Sequence, residues 1–255
     1  MPTMPSPPAV RSYDQILVGG QWRDPSGTAR IDVVSPHTEQ VIAHAAAADP
    51  ADVDAAVRAA REAFDTGPWP RLPVAERMDA VRRLAEVYGA HLDEMADLIT
   101  AEMGSPASFS RLGQAAGAAS MMHLTLQSAE KFPWEERRQG LLGEAHLRRQ
   151  AVGVVGIIIP WNVPQNLLMP KLIPALLAGC TVVIKPSEDA PLALTALAAL
   201  CVEAGLPAGV VNVVQGRGPE VGRALVTHPG VDKISFTGST VVGRDIAAAA
   251  GPLFK

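Results

Sequence analysis

Hydrophobic positions along this chain follow two rhythms, and the change between them falls near residue 150. Before it, apolar residues recur at three- and four-residue steps. Asp49 ahead of Pro50 supplies an N-cap and a proline at the first helical position, and Val53, Val57, Ala60 and Phe64 then mark one helical face. From about Val74 the set Met78, Val81, Leu84, Tyr88, Leu92, Met95 and Ile99 forms one apolar stripe opposite Arg, Asp and Glu. That stripe predicts a single long helix, ended by Gly104 and Pro106. An Ala-rich third helix is predicted over 108–131, its small residues suited to close packing, and Pro133 and Trp134 close the section. Ahead of these helices, residues 15–46 alternate short strand-like runs with turn signals at Gly19-Gly20, Pro25-Ser26-Gly27 and Ser35-Pro36, which predicts a small antiparallel β region.

From Gln150 onward strand and helix alternate: AVGVVGIII, a helix over 165–178, TVVIK, a helix over 192–204, VVNVVQ, a helix over 220–227, KISFTG, and a helix over 241–249. Four strands joined by three helical crossovers leave parallel neighbours as the practical pairing. The predicted fold class is therefore α/β, a doubly wound parallel sheet of Rossmann-like type with N-terminal helices. Gly179, Gly205 and Gly251 agree as helix stop signals. Three strand ends run into small or polar residues: Ile158-Ile159-Pro160-Trp161-Asn162, Lys185-Pro186-Ser187-Glu188 and Phe236-Thr237-Gly238-Ser239. In doubly wound sheets the carboxyl ends of strands border the binding crevice, which makes these the candidate site segments.

Composition narrows the function classes. The chain has 255 residues, 48% of them hydrophobic, enough to bury a sizeable core, and a formal net charge of −4 without a Lys/Arg run that could track phosphates, so nucleic acid is an unsuited partner. The Pro-rich start MPTMPSPPAV lacks a basic region followed by an apolar one, and reads as a disordered tail over 1–10 rather than a signal peptide. The longest apolar run, Ala151 to Trp161, is interrupted by two glycines and a proline and falls short of the roughly 20 residues of a spanning helix, so no membrane insertion and a cytoplasmic location are expected. Only Cys180 and Cys201 occur, without CxxC spacing, and the six histidines show no paired ligand spacing; reduced thiols and no metal are expected.

Taken singly, the chemical motifs admit plain readings. Gly216 to Gly222 reads G-x-G-x-x-x-G, one residue longer than the dinucleotide fingerprint, and serves equally as a Gly-rich βα turn. Asn162 could merely terminate a strand, Lys185 and Glu188 could form an exposed ion pair, and Gly238-Ser239 could be a tight turn into a helix. Taken together and in order, however, IIIPWNVP, AGCTVVIKPSEDAP, GLPAGVVNVVQGRGPEVG and HPGVDKISFTGSTVVG, with the upstream VGGQWRDPSG, PWPRLPVAER and ITAEMGSP, resemble the aldehyde dehydrogenase superfamily from Tyr13 to Lys255.

The resemblance implies NAD(P)-dependent oxidation of an aldehyde to a carboxylic acid. Asn162 matches the family's side-chain donor to the oxyanion formed when a thiolate adds to the carbonyl, an interaction worth about 3 to 4 kcal/mol of barrier in a dry site. Lys185, Ser187 and Glu188 match the motif that meets the adenosine ribose. A carboxylate there accepts a 2′-hydroxyl and repels a 2′-phosphate, so NAD is expected over NADP, with NADP possible. Gly238 and Ser239, at the start of a helix beginning near Val241, match the pyrophosphate seat; Ile158, Ile159, Pro160, Trp161, Asn162, Gly218, Pro219, Gly222, Phe236, Thr237 and Val242 match the cofactor lining.

By the same resemblance, residues 11–134 form the N-terminal part of the cofactor-binding domain. Residues 135–150 begin a bridging segment used in dimers or tetramers, and 151–255 form the Rossmann-like part. Val163, Gln165 and the 114–125 helix are candidates for the mouth of the substrate pocket. The family's catalytic thiol and general-base glutamate come from segments matching beyond Lys255. Cys201 lies on one helical face with Leu197 and Ala204, and Cys180 stands at the start of a strand, so both read as structural. The chain is thus expected to be truncated, inactive alone, and to expose apolar surface. The alternatives are a non-catalytic NAD-binding or assembly-associated fragment and a CoA-acylating aldehyde dehydrogenase.

Overall fold

The computed structural model describes residues 11–255; the tail expected at 1–10 lies outside the described residues. Strands β1 (Arg11–Tyr13), β2 (Ile16–Val18), β3 (Gln21–Arg23), β4 (Arg30–Val34) and β5 (Val41–Ala46) come first. Then follow α1 (Pro50–Asp65), α2 (Val74–Ala90), α3 (Leu92–Met103), the single turn α4 (Ala107–Phe109) and α5 (Ala116–Lys131). A hairpin of β6 (Glu135–Gly140) and β7 (Gly143–Arg148) leads to β8 (Val154–Ile158), α6 (Pro164–Ala178), β9 (Thr181–Lys185), α7 (Leu192–Glu203), β10 (Val211–Val213), α8 (Arg223–Thr227), β11 (Lys233–Phe236) and α9 (Thr240–Ala250).

The predicted α/β sheet is present as a six-stranded sheet of order β11-β8-β9-β10-β2-β3. Its four C-terminal strands pair parallel, β11 with β8, β8 with β9 and β9 with β10. Side chains alternate between the two faces, and each face has its own core. Val155, Ile157, Val182, Ile184, Val211 and Val213 point into the larger core, with apolar residues of α2, α3, α5, α6 and α7. Val154, Ile158 and Val183 point into the smaller one, with α1 and Leu225 and Val226 of α8. This two-sided cover is why the strands read as unbroken apolar runs rather than alternating ones.

The expected antiparallel β region is present, β3 pairing with β2 and β4 with β5, and it divides between two sheets: β2 also pairs antiparallel with β10, so β2 and β3 extend the main sheet. In the three-stranded sheet β1-β5-β4, β1 runs parallel to β5. All of Ile16, Leu17 and Val18 are buried, as a strand covered on both faces requires and a surface hairpin does not. The predicted long helix likewise divides. His91 leaves helical geometry (φ −105°, ψ 16°) just after Gly89, a poor helix former, and the apolar stripe continues through α3 as a second rod. Between α4 and α5 a π turn over Ser110–Ala115 interrupts the third predicted helix. Gly179 and Gly205 take the left-handed conformation at helix ends, but Gly251 does not (φ −52°) and the chain passes into a further turn.

Apolar surface is exposed at Phe109, Leu112, Met121, Leu124 and Phe132 along the α4–α5 segment, at Leu141 and Leu142 in the β6–β7 turn, and at Trp22 of β3 on the edge of the main sheet. Among the described residues no helix is long and apolar enough to cross a membrane.

Gly209 carries the chain from α7 into β10 at φ 78°, and a Cβ there would stand 2.7 Å from the Ala59 carbonyl oxygen of α1. Neither the backbone angle nor the neighbour can yield cheaply. Gly209→Ala is expected to destabilise the fold by about 2 kcal/mol or more, and a thermal melt matching the parent's would contradict this packing.

Candidate functional site

Parallel pairing puts the ends of three strands in one row. Phe236, last in β11, is in register with Ile158, last in β8, which is in register with Lys185, last in β9. The loops continue the ladder by one step each, since Thr237 N–H donates to the Ile158 carbonyl (3.2 Å) and Ile159 N–H to that of Lys185 (3.1 Å). From β8 the chain winds outward through β9 and β10, then returns to lay β11 on the other side of β8. The two loops leaving β8 and β11 therefore diverge, which opens a crevice at the carboxyl edge.

That crevice is a cleft of about 570 Å³. One wall is Ile158, Ile159, Pro160 and Trp161, and another is Lys185, Ser187 and Glu188. Gly218, Pro219 and Gly222 form a third side, and Phe236, Thr237, Gly238, Ser239 and Val242 close the fourth. Asn162 is exposed one residue beyond Trp161, on the two-residue lead into the α6 N-terminus at Pro164, and does not line the cleft itself.

Sequence reasoning passed over Asp189, Arg223, Val226, Asp245, Ile246 and Ala249, which also line the cleft. Val242, Ile246 and Ala249 share one face of α9 at helical spacing, a signal that was readable. Asp189 and Arg223 carried no pattern beyond adjacency to Glu188 and Gly222.

Two of the charged groups in the cleft, Lys185 and Glu188, are paired. The Lys185 ammonium, its side chain only 3% exposed, donates to Glu188 Oε2 and to the Pro186 carbonyl, both at 2.9 Å. Glu188 Oε1 accepts the Gly218 N–H (3.1 Å), so the carboxylate ties β9 to the glycine-rich turn. Partial burial pushes the Glu188 carboxyl up, but the hydrogen bond and charge of Lys185 and the Gly218 amide outweigh it, leaving the group below the usual carboxylate range. Gly222 lies beside the aliphatic stem of Lys185.

The glycines act mainly on packing. The predicted helix near Val241 starts at Thr240, and Ser239 is its N-cap, the hydroxyl accepting the Val242 N–H (3.3 Å). Gly238 is needed here because a Cβ would stand 2.4 Å from Cζ of the Phe236 ring, which folds back under the turn. The result is a helix N-terminus with its free amides and positive dipole end at the cleft's rim, suited to an anionic group.

Both thiols are away from this edge. Cys180 is 3% exposed and precedes Thr181, at the opposite end of β9 from Lys185; Cys201 is 2% exposed on α7. Burial raises the Cys180 thiol despite opposing backbone amides and pushes Cys201 up to about 12. Among the described residues no three His, Cys, Asp or Glu side chains converge as metal ligands would.

Comparison with known proteins gives this geometry a family. The model of the aldehyde dehydrogenase family matches residues 22–255. A 3-succinoylsemialdehyde-pyridine dehydrogenase of Pseudomonas sp is 40% identical over 247 residues, 96% of this chain and 50% of that protein. A phenylacetaldehyde dehydrogenase of Pseudomonas fluorescens is 38% identical, over 99% of this chain and 52% of its own length. Among solved structures, a Mycobacterium tuberculosis aldehyde dehydrogenase complexed with NAD+ superposes with a TM-score of 0.94 at 40% identity, over 97% of this chain and 51% of that one. The aldehyde dehydrogenase of Bartonella henselae superposes at 0.93 with 38% identity, over 96% and 51%. The chain spans about half the length of the proteins it matches. With the crevice at the carboxyl edge of its parallel strands and this agreement from Trp22 to Lys255, the chain belongs to the aldehyde dehydrogenase family.

Proposed function

We propose that this chain supplies the cofactor cradle and the oxyanion donor of an NAD-dependent aldehyde dehydrogenase, which converts an aldehyde and water to a carboxylic acid. The observation that carries the reading is the row Phe236–Ile158–Lys185 at the crevice, with every predicted cofactor-lining residue except Asn162 on the wall of one cleft. A volume of about 570 Å³ is in the range of a ligand pocket. NAD's co-crystallisation with the Mycobacterium tuberculosis relative supports the choice of dinucleotide.

The residues fit such a ligand group by group. Each oxygen of Glu188 already accepts one hydrogen bond and has a lone pair left, so the carboxylate can take a ribose hydroxyl without releasing Lys185 or Gly218. The same charge disfavours a 2′-phosphate. The first turn of α9, beyond Ser239, offers amides to the pyrophosphate. Trp161 and Pro160 cover the cleft between this region and Asn162. When bound, the nicotinamide supplies the hydride acceptor. Asn162, exposed at the strand-to-helix turn, presents an amide N–H to the carbonyl oxygen as it gains charge.

The nucleophile of such a reaction is neither Cys180 nor Cys201, because each is buried, protonated at neutral pH and remote from the strand ends. We further propose that the β6–β7 hairpin belongs to an oligomer-forming arm, since it stands exposed along both strands with leucines at its turn.

Calorimetry on the folded chain is expected to show NAD binding stronger than NADP binding. Glu188→Gln should weaken NAD by roughly tenfold and narrow the preference over NADP; an unchanged NAD-to-NADP ratio would contradict the assigned role of Glu188. A second measurement concerns the thiols. With their proton affinity raised by burial, neither cysteine should react with an aromatic disulfide reagent in the folded chain at about pH 8, and both should react in denaturant. Cys180→Ala should leave NAD affinity as it was, and a rapidly labelled Cys180 in the native chain would overturn the structural assignment.

A further inference from the structure

Helix α7 begins without a cap of its own. Its N-cap position is Pro191, which has no side-chain acceptor, and yet the helix starts cleanly at Leu192. The missing acceptor arrives from a distant part of the chain. Glu102, in the last turn of α3 and 2% exposed, accepts the Leu192 N–H on Oε2 (2.6 Å) and the Ala193 N–H on Oε1 (3.0 Å). Both carboxylate oxygens are used, each on a different amide, at the positive end of the helix.

The segment leading into that helix is the loop Pro186–Ala190, which carries Ser187 and Glu188 into the cleft. It is thin. Glu188 and Asp189 border the cleft on one side and, with Glu102 and Met103, a second hollow of about 640 Å³ on the other. Within it Pro186 and Ala190 are buried and Glu188 is tied to Lys185 and Gly218, while the backbone on either side is fixed at the loop's two ends. One end is Lys185, fixed in the sheet; the other is the first turn of α7, fixed by Glu102. The Ala193 carbonyl is held as well, by Gln165 Nε2 of α6 (3.2 Å), and Gln165 Oε1 in turn accepts the buried Tyr88 hydroxyl. Gln165 stands three positions after Asn162, so one residue of α7, Ala193, is held by Glu102 through its N–H and by the helix that follows Asn162 through its carbonyl.

We propose that Glu102 is a positioning residue for cofactor binding: by capping α7 across the fold it holds the Pro186–Ala190 loop where Glu188 and Lys185 meet the adenosine half of the dinucleotide. The inference rests on the cofactor reading above. It makes Glu102 a residue whose loss is felt at a site it does not itself touch.

Glu102→Gln is the discriminating variant, because it keeps the shape while replacing one acceptor oxygen with an NH2 that faces an amide donor. Three probes report on it by calorimetry with the full chain: NAD, AMP and nicotinamide mononucleotide. The expected result is a loss of roughly tenfold in affinity for NAD and AMP, with nicotinamide mononucleotide unchanged, at a melting temperature that keeps the chain folded. General destabilisation would not sort the probes in this way. In the absence of ligand, amide exchange at Leu192, Ala193 and 187–190 should accelerate by about tenfold or more while β8 stays protected. NAD and AMP affinities within about twofold of the parent in the folded variant would overturn the proposal. Should Glu102→Gln fail to fold, Glu102→Asp keeps the carboxyl group but shortens the reach, and the same two readouts decide. If the parent chain binds neither NAD nor AMP, the cofactor reading fails by itself, and the exchange measurement alone judges the clamp: retained protection of Leu192 and Ala193 in the variant refutes it.

Discussion

The structure depends on the register of three parallel strands. Hydrogen bonding between β11, β8 and β9 puts Phe236, Ile158 and Lys185 abreast, and a shift of one residue in either pairing would turn the strand's side chains to the opposite face. Register is held from both faces at once. Val155 and Ile157 are committed to one core and Val154 and Ile158 to the other, while Gly156 gives up its side chain so that Leu225 and Ile234 can close over β8. The crevice is a consequence of this order and of the return of the chain to place β11 beside β8; it needs no special loop to create it.

Much of this was legible because both cores write onto the sequence. Largely apolar runs at 154–159, 182–184 and 210–214 (the last broken by Asn212) mark strands covered on two sides, and the crossover lengths leave parallel pairing as the outcome. The cleft walls were legible too, since strand ends in such a sheet are site positions before any chemistry is considered. What was not legible depends on partners far along the chain. Asn212 sits in the middle of β10, where a buried polar side chain looks out of place, yet its Oδ1 accepts the Gly19 N–H and its Nδ2 donates to the carbonyls of Val182 and Gly209. That contact seats β2 and its turn on the main sheet, and no local pattern announces it. The same holds for α7, whose cap lies 90 residues away in sequence.

The N-terminal β region shows two rules at work. Short strands separated by Gly and Pro turns do suggest a local antiparallel unit. Residues 16–18, however, are apolar without alternation, and that is a statement about cover on both faces rather than about turns. Both rules hold: β2 keeps its hairpin partner β3 on one side and takes β10 on the other, so its apolar run is covered within the main sheet.

The Lys185–Glu188 pair is the point where fold and chemistry meet. An ammonium 3% exposed is costly unless its charge is answered, so removing Glu188 would leave a buried cation with only the Pro186 carbonyl. Glu188 must therefore stay ionised and in place, and the Gly218 amide together with Lys185 keeps it so by depressing its proton affinity. The sign follows: with a folded-state value below the unfolded one, the pair contributes stability above the ordinary glutamate range and loses it as pH falls through the lower folded value. Its solvent-facing side, about one third exposed, keeps the gain modest and the remaining lone pairs available. A group pinned for structural reasons thereby becomes a preorganised acceptor, which costs little further ordering when a hydroxyl binds. The glycine-rich turn then has a role independent of any fingerprint spacing: its Gly218 amide holds the carboxylate oxygen that Lys185 does not.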